Sequence, residues 1–188
     1  KEAAQMIPDV HFFPIAIQRQ GSHLTIIPRG NTMLEEGDHV VFITSKGGDE
    51  ELCKLAGIYK TEIRDVMILG GGRIGRKTTK SLTKDNGRFN VKLIENSKDR
   101  AFELADRLPN ALVINGDGRN VELLEEENIS EMDAFIAVTG NSETNIISSL
   151  VTKNKGIKKT IALVENIDYF ELSHSIGIDT LINKKLLA

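Results

Sequence analysis

The sequence predicts an α/β fold, a doubly wound parallel sheet preceded by a small α+β module, and three observations carry that expectation. From Asp65 onward, apolar segments of strand length alternate with helix-length segments, the pattern of a parallel sheet covered by helices on both faces. A glycine-rich turn, Gly70-Gly71-Gly72-Arg73-Ile74-Gly75, separates the first of these strands from its helix, and the next strand ends in Glu95, twenty positions after Gly75. Residues 1–60 have a different texture, with short alternating runs broken by turn residues.

In that first module a helix-like stretch from Lys1 to Met6 opens without Met, so the chain reads as a piece of something longer, truncated at its N-terminal side. Ile15 and Ile17 alternate with Ala16 and Gln18, Leu24 to Ile27 follows the Gly21-Ser22 turn, and Val40 to Ile43 follows Glu36-Gly37-Asp38. These runs read as strands. Asp49 to Ala56 reads as a closing helix stopped by Gly57, which puts the domain boundary between Gly57 and Arg64.

The second domain, residues 65–188, starts with the strand Asp65 to Leu69, a helix from near Arg73 to Lys84, and the strand Val91 to Glu95. Ser97 is placed to cap a helix through Leu108, Pro109-Asn110 stops it, and Ala111 to Asn115 is a third strand. A short acidic helix from Asn120 to Glu126 leads to the strand Ala134 to Thr139 and to a helix from Ser142 to Asn154 that Gly156 ends. Thr160 to Val164, a helix from Asp168 to Ile176 and Thr180 to Asn183 complete a six-stranded, Rossmann-like sheet.

Each glycine of the turn has a separate steric role. Gly70 permits the tight turn, Gly72 lets backbone approach a pyrophosphate, and Gly75 lets the helix pack closely on the strand. The helix directs unpaired N–H groups and the positive end of its dipole at the same spot. Glu95, at a strand end taken as exposed, would accept the ribose hydroxyls without supporting the fold. The candidate cofactor-binding residues are therefore Gly70, Gly72, Arg73, Ile74, Gly75, Glu95 and its neighbour Asn96, together with Asp117, Thr139 and Gly140 from later strand ends.

Several of these residues admit two roles. Asp117, between Gly116 and Gly118, would accept from an adenine amine or a ribose, or would serve only a plain turn. Thr139-Gly140-Asn141 would lie near the distal half of a dinucleotide, while Asn141 or Ser142 equally suits a helix N-cap. Arg73 could grip phosphates in bidentate fashion, whereas Arg76, one step into the helix, reads as solvated or salt-bridged. A carboxylate at position 95 favours NAD over NADP, and the cations Lys98 and Arg100 just beyond it keep that choice open.

Composition narrows the function. The formal net charge of −3 and a pI near 5.9 argue against a nucleic-acid-binding surface. The densest basic group, Lys153, Lys155, Lys158 and Lys159, sits at a predicted helix end and reads as a solvated terminus. The single cysteine, Cys53, has apolar neighbours and reads as a buried core thiol in a reducing cytoplasm. The four histidines, His11, His23, His39 and His174, show no ligand spacing, so no metal site is expected, and His174 reads as a surface residue of the last helix. No run approaches the ~20 apolar residues of a membrane span, so any membrane connection would pass through a partner.

A dehydrogenase needs a substrate domain and a general acid, and neither is visible. A methyltransferase turn would place glycine where Ile74 stands. A non-catalytic nucleotide sensor needs no missing catalyst.

The run from Gly70 to Gly75, Leu93-Ile94-Glu95, Asn115-Gly116-Asp117-Gly118, Ala134 to Thr139 and Glu143-Thr144-Asn145-Ile146 together closely resemble the TrkA family of potassium-uptake regulatory subunits. Residues 1–60 resemble that family's C-terminal regulator-of-conductance (RCK) module through Pro14 to Arg19, Ile27 to Gly30 and Glu36 to Val40. The pattern departs at Arg119-Asn120, where Thr and Asp are common, and at Asn141-Ser142, where acidic residues are frequent. The order of modules resembles the end of one tandem repeat joined to the start of the next. The resemblance implies NAD(H) and adenine nucleotides such as ATP or ADP as ligands, and assembly into a dimer or ring. It also implies docking on a TrkH-type or TrkG-type membrane subunit, at the inner face of the plasma membrane, and no catalysis. An NAD-dependent oxidoreductase fragment lacking its substrate domain is the alternative.

Overall fold

The computed structural model describes residues 11–19, 21–22, 24–58, 62–84, 87–165, 169 and 177–183. The helices expected at Lys1 to Met6 and over most of Asp168 to Ile176, with His174, lie outside the described residues. The chain divides into two compact units, Lys1–Lys60 and Thr61–Ala188.

In the first unit β1 (Phe12–Gln18) is the central strand of an antiparallel sheet, between β2 (Thr25–Ile26) and β3 (His39–Thr44). Pro14 lacks an N–H to donate, and the register with β3 shifts between Pro14 and Ala16, the bulge that lets proline sit in a paired strand. Ile17 is buried, and Phe12 meets Phe42 edge to face at 5.9 Å. Phe13, Val41 and Ile43 are exposed. Helix α1 (Gly48–Leu55) closes the unit. Cys53 on this helix is half-buried rather than a core thiol, because the flanking Leu55 is itself exposed and gives it no apolar enclosure.

In the second unit β4 (Asp65–Leu69), α2 (Arg73–Leu82), β5 (Asn90–Glu95), α3 (Lys98–Arg107) and β6 (Leu112–Asn115) form one half. Helix α4 (Val121–Glu126) and a 3-10 turn at Ile129–Glu131 lead to β7 (Ala134–Ala137), α5 (Ser142–Asn154), β8 (Lys159–Val164) and β9 (Thr180–Asn183). The sheet is parallel with strand order β6-β5-β4-β7-β8-β9. It reverses between β4 and β7, the Rossmann-like arrangement. Near-continuous apolar runs in β4 and β7 fit burial on both faces: Val66 and Ile68 pack on one side, Met67 and Leu69 on the other. The second of these cores is completed by Ile129 and Met132, from a 3-10 turn too short to leave a periodic signal in the sequence.

At the edge of the sheet where β4 and β7 begin, Asp133 Oδ2 accepts from the backbone N–H of Arg64 at 2.8 Å and of Asp65 at 3.0 Å, and Oδ1 accepts from Lys158 Nζ at 2.6 Å. The lysine group read as a solvated helix end is thus largely paired. Lys153 Nζ bonds Asp179 at 2.8 Å and Lys155 pairs with Glu125, because acidic residues from other segments converge on that end.

Lys158, and then the two backbone donors, hold the Asp133 carboxyl well below the usual carboxylate range. Burial raises Asp179, but hydrogen bonds from Lys153 and Thr160 outweigh it and the net shift is downward. A group depressed in this way contributes stability that is complete above its unfolded pKa of about 3.9 and is lost as pH falls through the folded value. Asp133→Asn is expected to cost about 1–3 kcal/mol at pH 7. Urea unfolding at a series of pH values should show the gap to the unsubstituted chain closing below about pH 4. A gap independent of pH would remove the ionised carboxylate as its cause.

Candidate functional site

The loops at the carboxyl ends of β4, β5, β6 and β7 enclose a cleft of about 360 Å3, at the point where the strand order reverses. Its position and size are those of a small-molecule site. Gly70, Gly72, Glu95, Asn96, Asp117, Thr139 and Gly140 all line it. The other three predicted residues do not. Arg73 faces a separate recess, Ile74 packs its side chain against the core, and Gly75 is buried at the root of α2.

The glycines of the turn are constrained in different ways. Gly70 has a φ of 104°, in the left-handed region that favours glycine, and a Cβ there would lie 3.0 Å from Thr139 N. A Cβ on Gly75 would overlap the Gly70 carbonyl oxygen, so the first turn of α2 rests directly on the end of β4. At Gly72 the only heavy atom of the described residues within 4 Å of an added Cβ, outside its chain neighbours, is Arg100 Nη2, at 4.0 Å. Gly72 is also the N-cap of α2 and offers no side-chain acceptor to the helix N–H groups. Gly71, assigned no role in the sequence, has a Cβ position blocked by Leu104 Cδ1 and by Glu95 Oε2 at 2.8 Å.

Glu95 departs from expectation. Its strand end is not exposed: the residue is 7% exposed, Oε2 accepts from Gly71 N–H at 2.9 Å and Oε1 accepts from Ser97 N–H at 2.9 Å. Glu95 therefore supports the glycine turn as well as lining the cleft. Ser97 holds the N-cap position of α3 without a hydroxyl cap bond, and its own N–H goes to the Glu95 carboxylate.

Asp117 is engaged by a residue two positions on. Arg119 donates from Nη2 at 2.7 Å and from its backbone N–H at 3.0 Å, and these bonds, side chain first, keep the Asp117 carboxyl below its ordinary value. Arg119 itself lines the cleft and was not among the predicted residues. Arg100, also in the lining, stands 3.9 Å from Glu95 Oε2.

The β7 lip is held from below. Asn145, 1% exposed, accepts from Thr139 N–H at 2.9 Å and from its hydroxyl at 2.7 Å, and donates to Leu163 O at 2.8 Å. Asn141 caps α5, its Oδ1 accepting from Thr144 N–H at 2.6 Å, and still lines the cleft. Sequence reasoning missed the part played by Asn145, although a polar residue on the inward face of a helix is a visible signal. Among the described residues no group of His, Cys, Asp and Glu converges as a metal site would, and no helix is long and apolar enough to cross a membrane.

The TrkA-N domain family matches residues 66–184, and the TrkA-C domain family matches residues 5–57. The Trk system potassium uptake protein trkA homolog 1 of Methanosarcina mazei is 37% identical over 160 residues, covering 85% of this chain and 39% of that protein. The TrkA homolog of Archaeoglobus fulgidus is 40% identical over 171 residues, covering 90% of this chain and 38% of that protein. The chain thus spans under two fifths of the length of these relatives. Among solved structures the GsuK channel bound to NAD superposes with a TM-score of 0.58 at 21% identity, over 93% of this chain and 30% of that one.

Glu95→Ala, which leaves Gly71 N–H without its buried acceptor, is expected to cost about 1–3 kcal/mol of stability. Gly75→Ala should cost at least as much, about 1–3 kcal/mol or more, through overpacking, while Gly72→Ala should stay within about 1 kcal/mol. Denaturant midpoints of the three variants check the order. A Gly72→Ala protein as unstable as Gly75→Ala would show that the space beside Gly72 is needed by the fold.

Proposed function

The chain belongs to the TrkA-N family, with a TrkA-C domain ahead of its Rossmann-like unit, and from that premise we propose that it is a nucleotide-binding regulatory part of a potassium uptake system. The observation that carries the reading is Gly72, with open space at its Cβ position, at the uncapped N-terminus of α2 and on the wall of the cleft. A pyrophosphate fits that position: it is anionic and needs backbone donors, which the helix end supplies. Gly70, Gly72 and the first turn of α2 would hold the pyrophosphate. Glu95 and Asn96 would meet a ribose, Asp117 and Arg119 the adenine side, and Thr139 and Gly140 the distal half.

NAD(H) is the ligand proposed first, with ATP and ADP as competitors for the adenine half. The dinucleotide's redox chemistry belongs to the nicotinamide. This chain's own residues bind and orient. The described part of the cleft brings no histidine or lysine to its wall, and both acidic residues there are already hydrogen-bonded. Binding is therefore proposed to act by population shift, with the ligand favouring one arrangement of a dimer or ring over another. The consequence would pass to a TrkH-type or TrkG-type membrane subunit on the cytoplasmic side, a partner reading supported by the names of the relatives.

Residues 1–60 and 65–188 are proposed to fold as separate domains, the larger having ample apolar burial to be stable alone. NADH and ATP should raise the melting temperature of the chain and change its scattering profile or oligomer distribution. Gly72→Val, whose side chain fills the pyrophosphate position, should remove both effects while remaining folded. Steady NADH oxidation that depends on an added carbonyl acceptor and is lost in Gly72→Val would sink the regulatory reading and restore an oxidoreductase.

A further inference from the structure

Resting on the reading that the cleft holds an adenine nucleotide, we infer that Arg119 sets which base the cleft accepts, as a positioning residue that acts through Asp117. The backbone of the loop after β6 is fixed on both sides of Asp117. A Cβ on Gly116 would overlap Leu123 of α4 and one on Gly118 would overlap Leu69 of β4, so the loop rests directly on those two side chains. Ser148 Oγ donates to the Gly118 carbonyl at 3.3 Å, and the Asp117 carbonyl accepts from Asn120 N–H at 2.9 Å. What stays free in Asp117 is its side chain.

Arg119 removes that freedom. Its backbone N–H donates to Oδ1 at 3.0 Å, Nε lies 3.1 Å from Oδ1 and 3.2 Å from Oδ2, and Nη2 donates to Oδ2 at 2.7 Å. Three nitrogens of one residue thus take up most of the roughly four acceptor sites of a carboxylate and leave about one for a ligand. A single donor such as the exocyclic amine of adenine satisfies that site, whereas the paired hydroxyls of a ribose need two acceptors.

The pair has little to do for the fold. The Arg119 side chain is 63% exposed, and an ion pair so placed adds little stability. Both residues line the cleft, so the arrangement is kept where a ligand meets it. An acceptor already held in place loses less conformational freedom on binding, and the gain goes only to ligands that carry a donor there.

The test is calorimetric titration of the intact chain and its variants with NADH and with deamino-NADH, in which a carbonyl replaces the adenine amine. NADH is expected to bind about tenfold more tightly, the scale of one hydrogen bond to a charged acceptor. Arg119→Ala should bring the ratio of the two affinities close to one by weakening NADH and not its analogue, with the melting temperature of the unliganded chain unchanged. Arg119→Lys keeps the charge without the fork and should behave like Arg119→Ala. In an Asp117→Asn background Arg119→Ala should leave the ratio where Asp117→Asn alone puts it, as expected of a residue that acts only through Asp117. A ratio near one in the unsubstituted chain, an unchanged ratio in Arg119→Ala or a full return of the ratio in Arg119→Lys overturns the inference and leaves the nucleotide reading standing. An equal loss of both ligands in Arg119→Ala also overturns it, by assigning Arg119 a contact away from the base. If neither ligand binds the unsubstituted chain, the nucleotide reading itself falls.

Discussion

The contact between Gly75 and the Gly70 carbonyl sets the depth of everything above it. Because no Cβ intervenes, α2 begins against the end of β4 rather than one side-chain diameter away. The helix N-terminus is thereby brought to the wall of the cleft that Gly72 lines, and Gly72 offers its first-turn N–H groups no side-chain cap. Moving α2 outward by the width of a methyl group would displace the turn that Glu95 holds through Gly71, and with it the near wall of the cleft.

Glu95 shows how one side chain serves fold and site together. A buried carboxylate costs free energy unless its oxygens find donors, and here the backbone of two neighbouring loops supplies them. The glycine turn and the start of α3 are thus tied through a charge that also faces the ligand space. Loss of the residue is felt first by the fold, so affinity measured in an alanine variant would mix two effects.

Much of this was legible in the sequence. The six strands of the larger unit, the turn from Gly70 to Gly75 and the strand-ending Glu95 announce themselves through period, spacing and residue type, all of which are local. What could not be read is set by distant partners. That Gly71 is pressed by Leu104, that Lys153 and Lys155 find Asp179 and Glu125, and that Arg73 turns away from the cleft while Arg100 turns into it all depend on α3 and later segments arriving alongside. Thr25–Ile26 is a strand shorter than the run from Leu24 to Ile27 predicts, because β1 pairs with it only through Ile17 and Gln18. Asp117 was recognised by its glycine neighbours, and the bond it accepts from the Arg119 N–H two positions on is the turn contact that pattern allows, while the added pairing with the Arg119 side chain has no counterpart there.

Asn145 makes the two lips of the cleft unequal in evolutionary terms. The β7 lip hangs on a buried amide with four hydrogen bonds to Thr139 and Leu163, so most substitutions there would damage the domain before they altered its ligand. Across the cleft, Arg119 is exposed and bonds only to its near neighbour Asp117 among the described contacts. A lineage could exchange Arg119 for another residue at little cost to folding and still change what the pocket recognises. Ligand preference in this scaffold can therefore drift by single steps on one side, while the other side keeps the frame constant.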